Sequence, residues 1–220
     1  MSISVSELTK KLQELENKYG GKTTGVKRSI RSPYEAKNYH TVHMGGDRMT
    51  INGYADLYAK YMQPHLSSKV LMVEVGILTG IGLAIWANIF TNGLIYGFDI
   101  DKSNYENNLE NLIKLGAFNG DLEKVPKTYS FDQYLSNTEY LKGIFNGLED
   151  SVDTIIVTDD GCHEDNAILT TIKSFMPILS GKKFIYFIED NITVYKKIAI
   201  TYPNLNMERR KNMTILTPKL

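Results

Sequence analysis

Several carboxylates and one histidine stand where side chains of their kind can do chemistry together: Glu74 in "VEVG", Asp99 in "GFDID", Asp132 in "SFDQ", Asp160 and His163 in "TDDGCHED", and Glu189 with Asp190 in "FIED". Each acid closes a short strand-like run. A single acid at such a place is equally a helix cap or a turn residue. A series gathered on one edge is different, because like charges repel unless cations or hydrogen-bond donors neutralise them. Asp160 and Glu189 are 29 residues apart, one helical crossover. With Asp190 they could converge as three oxygen ligands, a hard set that suits Mg²⁺. His163 lies three residues beyond Asp160. Its alternatives are a surface or capping histidine and a general base, for which an imidazole's near-neutral pKa is suited. Cys162 reads as a small filler beside the site rather than a nucleophile.

The turn "VEVGILTGIG" adds a binding function. Gly76, Gly80 and Gly82 let the backbone turn tightly and approach a ligand at the start of the following helix. Their spacing is not that of the dinucleotide fingerprint. Glu74, two residues before Gly76, would sit near phosphate oxygens, so a ligand with an ammonium group and no phosphate fits better. Asp99 follows Gly76 by 23 residues and can accept from ribose hydroxyls. Together these point to S-adenosylmethionine. Asp132 is then equally an acceptor for the adenine amino group or a helix cap.

The elements that must hold these residues alternate. Helix-like "GYADLYAKYMQPHL" precedes strand-like "KVLMVEVG", and helices then separate "GLIYGFDID", "KTYSFDQ", "DTIIVTDD" and "KKFIYFIED". Apolar strands joined by helical crossovers predict a doubly wound α/β architecture with a mainly parallel sheet covered on both faces. Ligands bind such sheets at the carboxyl ends of the strands, where the acids stand. Before this region, Leu8, Leu12 and Leu15 predict an amphipathic helix over residues 6–19, with Ser6 near its start. Residues 20–50 are polar and loop-like, as in a linker or a lid over a site. The expected organisation is therefore an N-terminal helix and lid over 1–50 and a ligand-binding domain over 51–220.

Composition narrows the partners. Lys plus Arg and Asp plus Glu both total 25, giving zero formal net charge and no general attraction to nucleic acid or anionic membrane. One cysteine excludes an intramolecular disulfide framework and fits a reducing compartment. No signal-like leader or bilayer-length apolar run is present, so a cytoplasmic protein without membrane or nucleic-acid partners is expected.

The ordered set "VEVGILTGIGLAIW", "IYGFDID", "FDQ", "TDDGCH" and "FIED" resembles the class I S-adenosylmethionine-dependent methyltransferases. It looks most like the metal-dependent group of macrocin and mycinamicin sugar O-methyltransferases and cephalosporin hydroxylase-like proteins, over roughly residues 45–190. The resemblance implies a Rossmann-like fold and transfer of a methyl group to a hydroxyl of a sugar, glycan precursor or secondary metabolite. It implies Mg²⁺ at Asp160, Glu189 and Asp190, with Asp160 and His163 catalytic and His163 the base. It also implies cofactor contacts from Glu74, Gly76, Asp99 and Asp132, with Gly80 in the same turn, and accessory ones from Asp101 and Asp159. Asp47, Arg48 and Tyr54 would belong to a segment that closes over cofactor and acceptor.

Lys27, Arg28, Arg31, Tyr34, Tyr39 and Arg48 suit an anionic or sugar acceptor, or a solvated basic surface. A homo-oligomer is expected, whose second subunit could complete the acceptor site. The alternatives are a metal-dependent hydroxylase-like enzyme and a non-catalytic S-adenosylmethionine-binding protein. The chain departs from the group in having Leu78 where the turn usually carries glycine. Its tail after residue 190 leaves little for the usual final antiparallel pair, so the sheet could end short.

Overall fold

Strand alternation builds two cores from one sheet. In β1 (Val70–Val75), Val70 and Met72 point to one face and Leu71, Val73 and Val75 to the other, all buried. The same division holds in β4 (Thr154–Asp159) and β5 (Phe184–Ile188): Ile156, Ile185 and Phe187 join the first face, and Ile155, Val157, Tyr186 and Ile188 the second. Burial on both faces is why these runs are apolar throughout. The computed structural model describes residues 3–20, 46–120 and 122–219. Lys27, Arg28, Arg31, Tyr34 and Tyr39 lie outside the described residues.

The first face is covered by α1 (Val5–Gly20), α2 (Ala55–Met62) and α3 (Ile81–Ile89), through Leu8, Leu12, Tyr58 and Trp86. The second is covered by α5 (Thr138–Phe145), α6 (Asp165–Leu179) and α7 (Tyr195–Thr201), through Phe145, Phe175 and Ile198. α4 (Ser103–Lys114) packs into the first core as well, through Tyr105 and Leu112. The start of α1 falls earlier than the sequence suggests. Ser4 and Glu7 form a reciprocal cap, Ser4 N donating to Glu7 Oε2 at 2.7 Å and Glu7 N to Ser4 Oγ at 3.2 Å. α1 shares its core with α2 and α3.

With β2 (Leu94–Asp99), β3 (Lys127–Ser130), β6 (Leu205–Arg210) and β7 (Met213–Pro218), the strands form a seven-stranded sheet in the order β3-β2-β1-β4-β5-β7-β6. The pairs from β3 through β5 are parallel, and β7 is antiparallel to both of its neighbours. The shortened end allowed for by the sequence is not found. β7 covers the edge of β5 with buried Met213, Ile215 and Leu216. Outside it, "LNMERR" forms β6, a charged edge strand with no apolar run to announce it.

Candidate functional site

Register delivers the acids to one place. Val75 pairs with Asp159 and Asp159 with Ile188, so Gly76, Asp160 and Glu189 leave the sheet side by side. Asp160 N donates to Val75 O at 2.8 Å and Glu189 N to Asp159 O at 3.0 Å. Gly76 is required here: its φ is 82°, and a Cβ would strike the carbonyl of Asp160. A cavity of about 340 Å³ opens over these strand ends. Gly76, Asp99, Asp101 and Asp132 line it toward β1, β2 and β3, while Asp160, His163 and Asp190 line it toward β4 and β5. Asp47 and Asn52 line it as well.

Backbone amides order the first group. Asp99 Oδ2 accepts from Ile77 N at 2.9 Å and Leu78 N at 3.1 Å, tying the end of β2 to the glycine turn. Burial raises the pKa of Asp99, and its backbone donors oppose that. Leu78 in this turn takes a φ of 42°, in the left-handed region that side chains other than glycine rarely adopt. Asp101 Oδ1 accepts from Ser103 N at 3.0 Å at the start of α4, and Asp132 Oδ1 from Tyr134 N at 3.1 Å. Both acids thus brace the chain locally while facing the cavity.

On the other side, Asp160, His163 and Asp190 each offer a ligand atom, all within 4.8 Å of one another. Two carboxylates and an imidazole suit a divalent cation. The expected trio is arranged differently, because Glu189 lies on the α2 face of the sheet and is 1% exposed. Its Oε1 accepts from Tyr58 OH and lies 2.8 Å from Arg48 Nε. Burial raises the pKa of Glu189 well above the usual carboxylate range, with Arg48 opposing.

Other expected residues also stand apart from the cavity. Asp159 shares the α6 face with Val157, where its Oδ1 accepts from Gln133 Nε2 at 2.8 Å and its Oδ2 from Tyr186 OH at 3.3 Å. Burial pushes its pKa up to about 7. It reaches the site through Gln133, whose Oε1 accepts from Cys162 N at 2.5 Å. Gly80 does not line the cavity. Its φ is 78°, and its missing side chain makes room for the ring of Tyr105. Tyr54 is 1% exposed and donates from its hydroxyl to Asp190 Oδ1 at 2.5 Å, on the side of Asp160 and His163.

Arg48 and Glu74 line a smaller adjoining pocket. Glu74 Oε2 accepts from Trp86 Nε1 at 3.1 Å, and Glu74 Oε1 lies 2.7 Å from Arg48 Nη2. Burial raises the pKa of Glu74, and Arg48 opposes that.

The order of the strands, with antiparallel β7 between β5 and β6 and a glycine turn facing an acid at the end of β2, decides the architecture. The fold is that of the class I S-adenosylmethionine-dependent methyltransferases. No family model matches this methyltransferase-fold chain. In sequence it is 27% identical over 160 residues to the 8-demethyl-8-α-L-rhamnosyl tetracenomycin-C 2'-O-methyltransferase of Streptomyces olivaceus, covering 69% of this chain. The chain spans about a third of that relative's length, 36%. Among solved structures, the mycinamycin-pathway methyltransferase MycE, in complex with Mg, SAH and mycinamycin VI, is similar at 18% identity and a TM-score of 0.44, over 87% of this chain and 58% of that one. TrmN from Thermus thermophilus is similar at 10% identity and a TM-score of 0.48, over 75% and 48%.

Sequence reasoning missed Glu16, Tyr58 and Gln133. Tyr54, Tyr58 and Tyr61 follow helical spacing, and each hydroxyl donates to a carboxylate: Asp190, Glu189 and Glu208 respectively. That spacing was the readable signal. Glu16 sits on the buried stripe of α1, where a charged residue stands out among leucines.

Proposed function

We propose that the chain transfers a methyl group from S-adenosylmethionine to a hydroxyl of a sugar, glycan precursor or secondary metabolite, with Mg²⁺ as the metal and His163 as the general base. The observation that carries this reading is one cavity joining Gly76, Asp99 and Asp132 to Asp160, His163 and Asp190. The sugar specificity draws its support from the rhamnosyl O-methyltransferase relative. The cofactor's ribose would be held by Asp99 and its adenine by Asp132, with Gly76 leaving room for backbone approach. Asp101 would assist, and Asp47, Arg48 and Tyr54 would belong to the covering segment.

Asp160 and Asp190, with Glu189 after a turn of its side chain, would hold Mg²⁺, which when bound supplies positive charge that lowers the pKa of the acceptor hydroxyl. The hydroxyl proton passes to a ring nitrogen of His163. The oxygen lone pair forms the bond to the methyl carbon, and the carbon–sulfur bond breaks to leave a neutral thioether. A small-molecule acceptor, rather than nucleic acid or a membrane, and a cytoplasmic homo-oligomer complete the reading.

Calorimetry with S-adenosylmethionine, with and without EDTA, tests the cofactor and metal roles: absence of binding sinks the first, and turnover in EDTA sinks the second. His163 also lies within ligand reach of Asp160 and Asp190, which favours a second role for it. The variant His163→Ala separates the two. Wild-type Mn²⁺ affinity with lost methyl transfer supports the base, whereas lost Mn²⁺ affinity makes His163 a ligand.

A further inference from the structure

Three carboxylates from three strands meet a single guanidinium. Arg48 Nη2 lies 2.7 Å from Glu74 Oε1 and donates to Asp160 Oδ2 at 2.7 Å, while its Nε lies 2.8 Å from Glu189 Oε1. Arg48 is 8% exposed, so water does little to screen these contacts. The guanidinium is also 5.6 Å from the ring of Trp86, which itself donates to Glu74. Arg48 does not hang freely in the site. Glu16 of α1, 1% exposed, accepts from Met49 N at 2.6 Å, Thr50 N at 2.8 Å and Thr50 Oγ1 at 2.7 Å, fixing the next two residues of the turn. The turn closes through Asn52 N on Asp47 O at 2.8 Å and Tyr54 N on Arg48 O at 3.0 Å.

We infer that Arg48 is a built-in counter-cation, pinned by Glu16, that holds these carboxylates together until a divalent cation arrives and then gives up Asp160 and Glu189 to it. The inference rests on the metal reading above. One guanidinium is shared among three carboxyl groups from three strands, whereas a divalent ion brings twice its charge to the two that it would take. Asp160 and Glu189 cannot serve both cations through the oxygens that Arg48 now holds. Two cations on the same carboxylates would repel each other. Asp47 and Asn52 belong to the same turn and line the cavity, so release of Arg48 links metal binding to the cavity wall. That linkage is reciprocal: whatever loosens the turn tightens the metal.

Trp86 is the chain's one tryptophan and gives a reporter in the unaltered protein. Titration of the full chain with Mg²⁺ should shift Trp86 emission with the same midpoint as Mg²⁺ binding measured by calorimetry. Binding without any change in emission overturns the inference. In Arg48→Gln, Mn²⁺ should bind about 5-fold tighter or more, and the metal-free melting temperature should fall and be recovered by Mg²⁺ to a greater extent than in the wild type. Equal or weaker Mn²⁺ binding by folded Arg48→Gln overturns the inference alone, because Arg48 would then orient the ligands rather than compete with the metal. Failure of both proteins to bind Mg²⁺ or Mn²⁺ overturns the metal reading and the inference with it.

Discussion

At the amino ends of β1, β4 and β5, the acids meet their partners at the surface: the backbone N–H of Lys69 donates to Asp153 Oδ2 at 2.8 Å, and the Lys182 ammonium pairs with Asp150. At the carboxyl ends of the same strands, Glu74 and Glu189 are 2% and 1% exposed and share Arg48 with Asp160. The first arrangement costs little and contributes little, since exposed pairs are solvated and screened. The second concentrates negative charge where burial penalises it. A sheet built only for stability would treat its two ends alike, so the difference marks the carboxyl edge as the one arranged for ligands.

The largest break in that contrast comes from chemistry. His163→Ala should lower the rate of methyl transfer by about 10²–10⁴-fold, read by single-turnover kinetics at saturating cofactor, while cofactor binding is retained. An unchanged rate would remove His163 from the reaction.

Stability comes next. Arg48→Gln leaves buried carboxylates without their cation and should cost about 3–5 kcal/mol in metal-free urea unfolding. The matching change at the other edge, Lys182→Gln, should cost less than about 1 kcal/mol. Similar costs for the two would erase the distinction between the edges. Between these falls Tyr58→Phe. Its hydroxyl donates to Glu189 in a fully buried setting, so its loss should cost about 1–3 kcal/mol. The removed group is small and the ring contacts with Trp86 and Phe187 remain.

Much of the carboxyl edge was legible in the sequence because parallel strands are buried on both faces. Apolar runs that stop at an acid therefore mark both the strand and its ligand end. Asp159 was the harder case. Counting from Val157 places it on the α6 face, away from the cavity, and that parity outweighs its being next to Asp160. β6 was hidden because an edge strand needs no apolar run, and "LNMERR" carries its charges outward. The contact of Glu16 with residues 49 and 50 joins a helix to a distant turn. Local spacing shows a charge on a buried stripe but not the donors that meet it. Glu189 was read correctly as a strand-end acid, but its face was set by the same parity as Phe187, toward Tyr58 and Arg48.

The smallest effect belongs to the amino edge and concerns pH. His65 is half-buried there, its Nδ1 3.1 Å from Thr154 Oγ1, and burial followed by the charge of Lys183 lowers its pKa below the ordinary 6.5. The unfolded chain therefore takes up this proton more readily than the folded one. Stability contributed by the neutral ring is fully present above the unfolded value and is lost as pH falls through it toward the lower folded value. Buried acids at the carboxyl edge act with the opposite sign, because a raised folded pKa favours the folded state as pH falls. Replacing His65 by Asn should thus flatten the decline in urea midpoint between about pH 7 and pH 5, without altering methyl transfer at pH 7.5 or above. A variant that declines as steeply as the wild type would place the titrating group elsewhere and leave the amino edge without a pH-dependent part in stability.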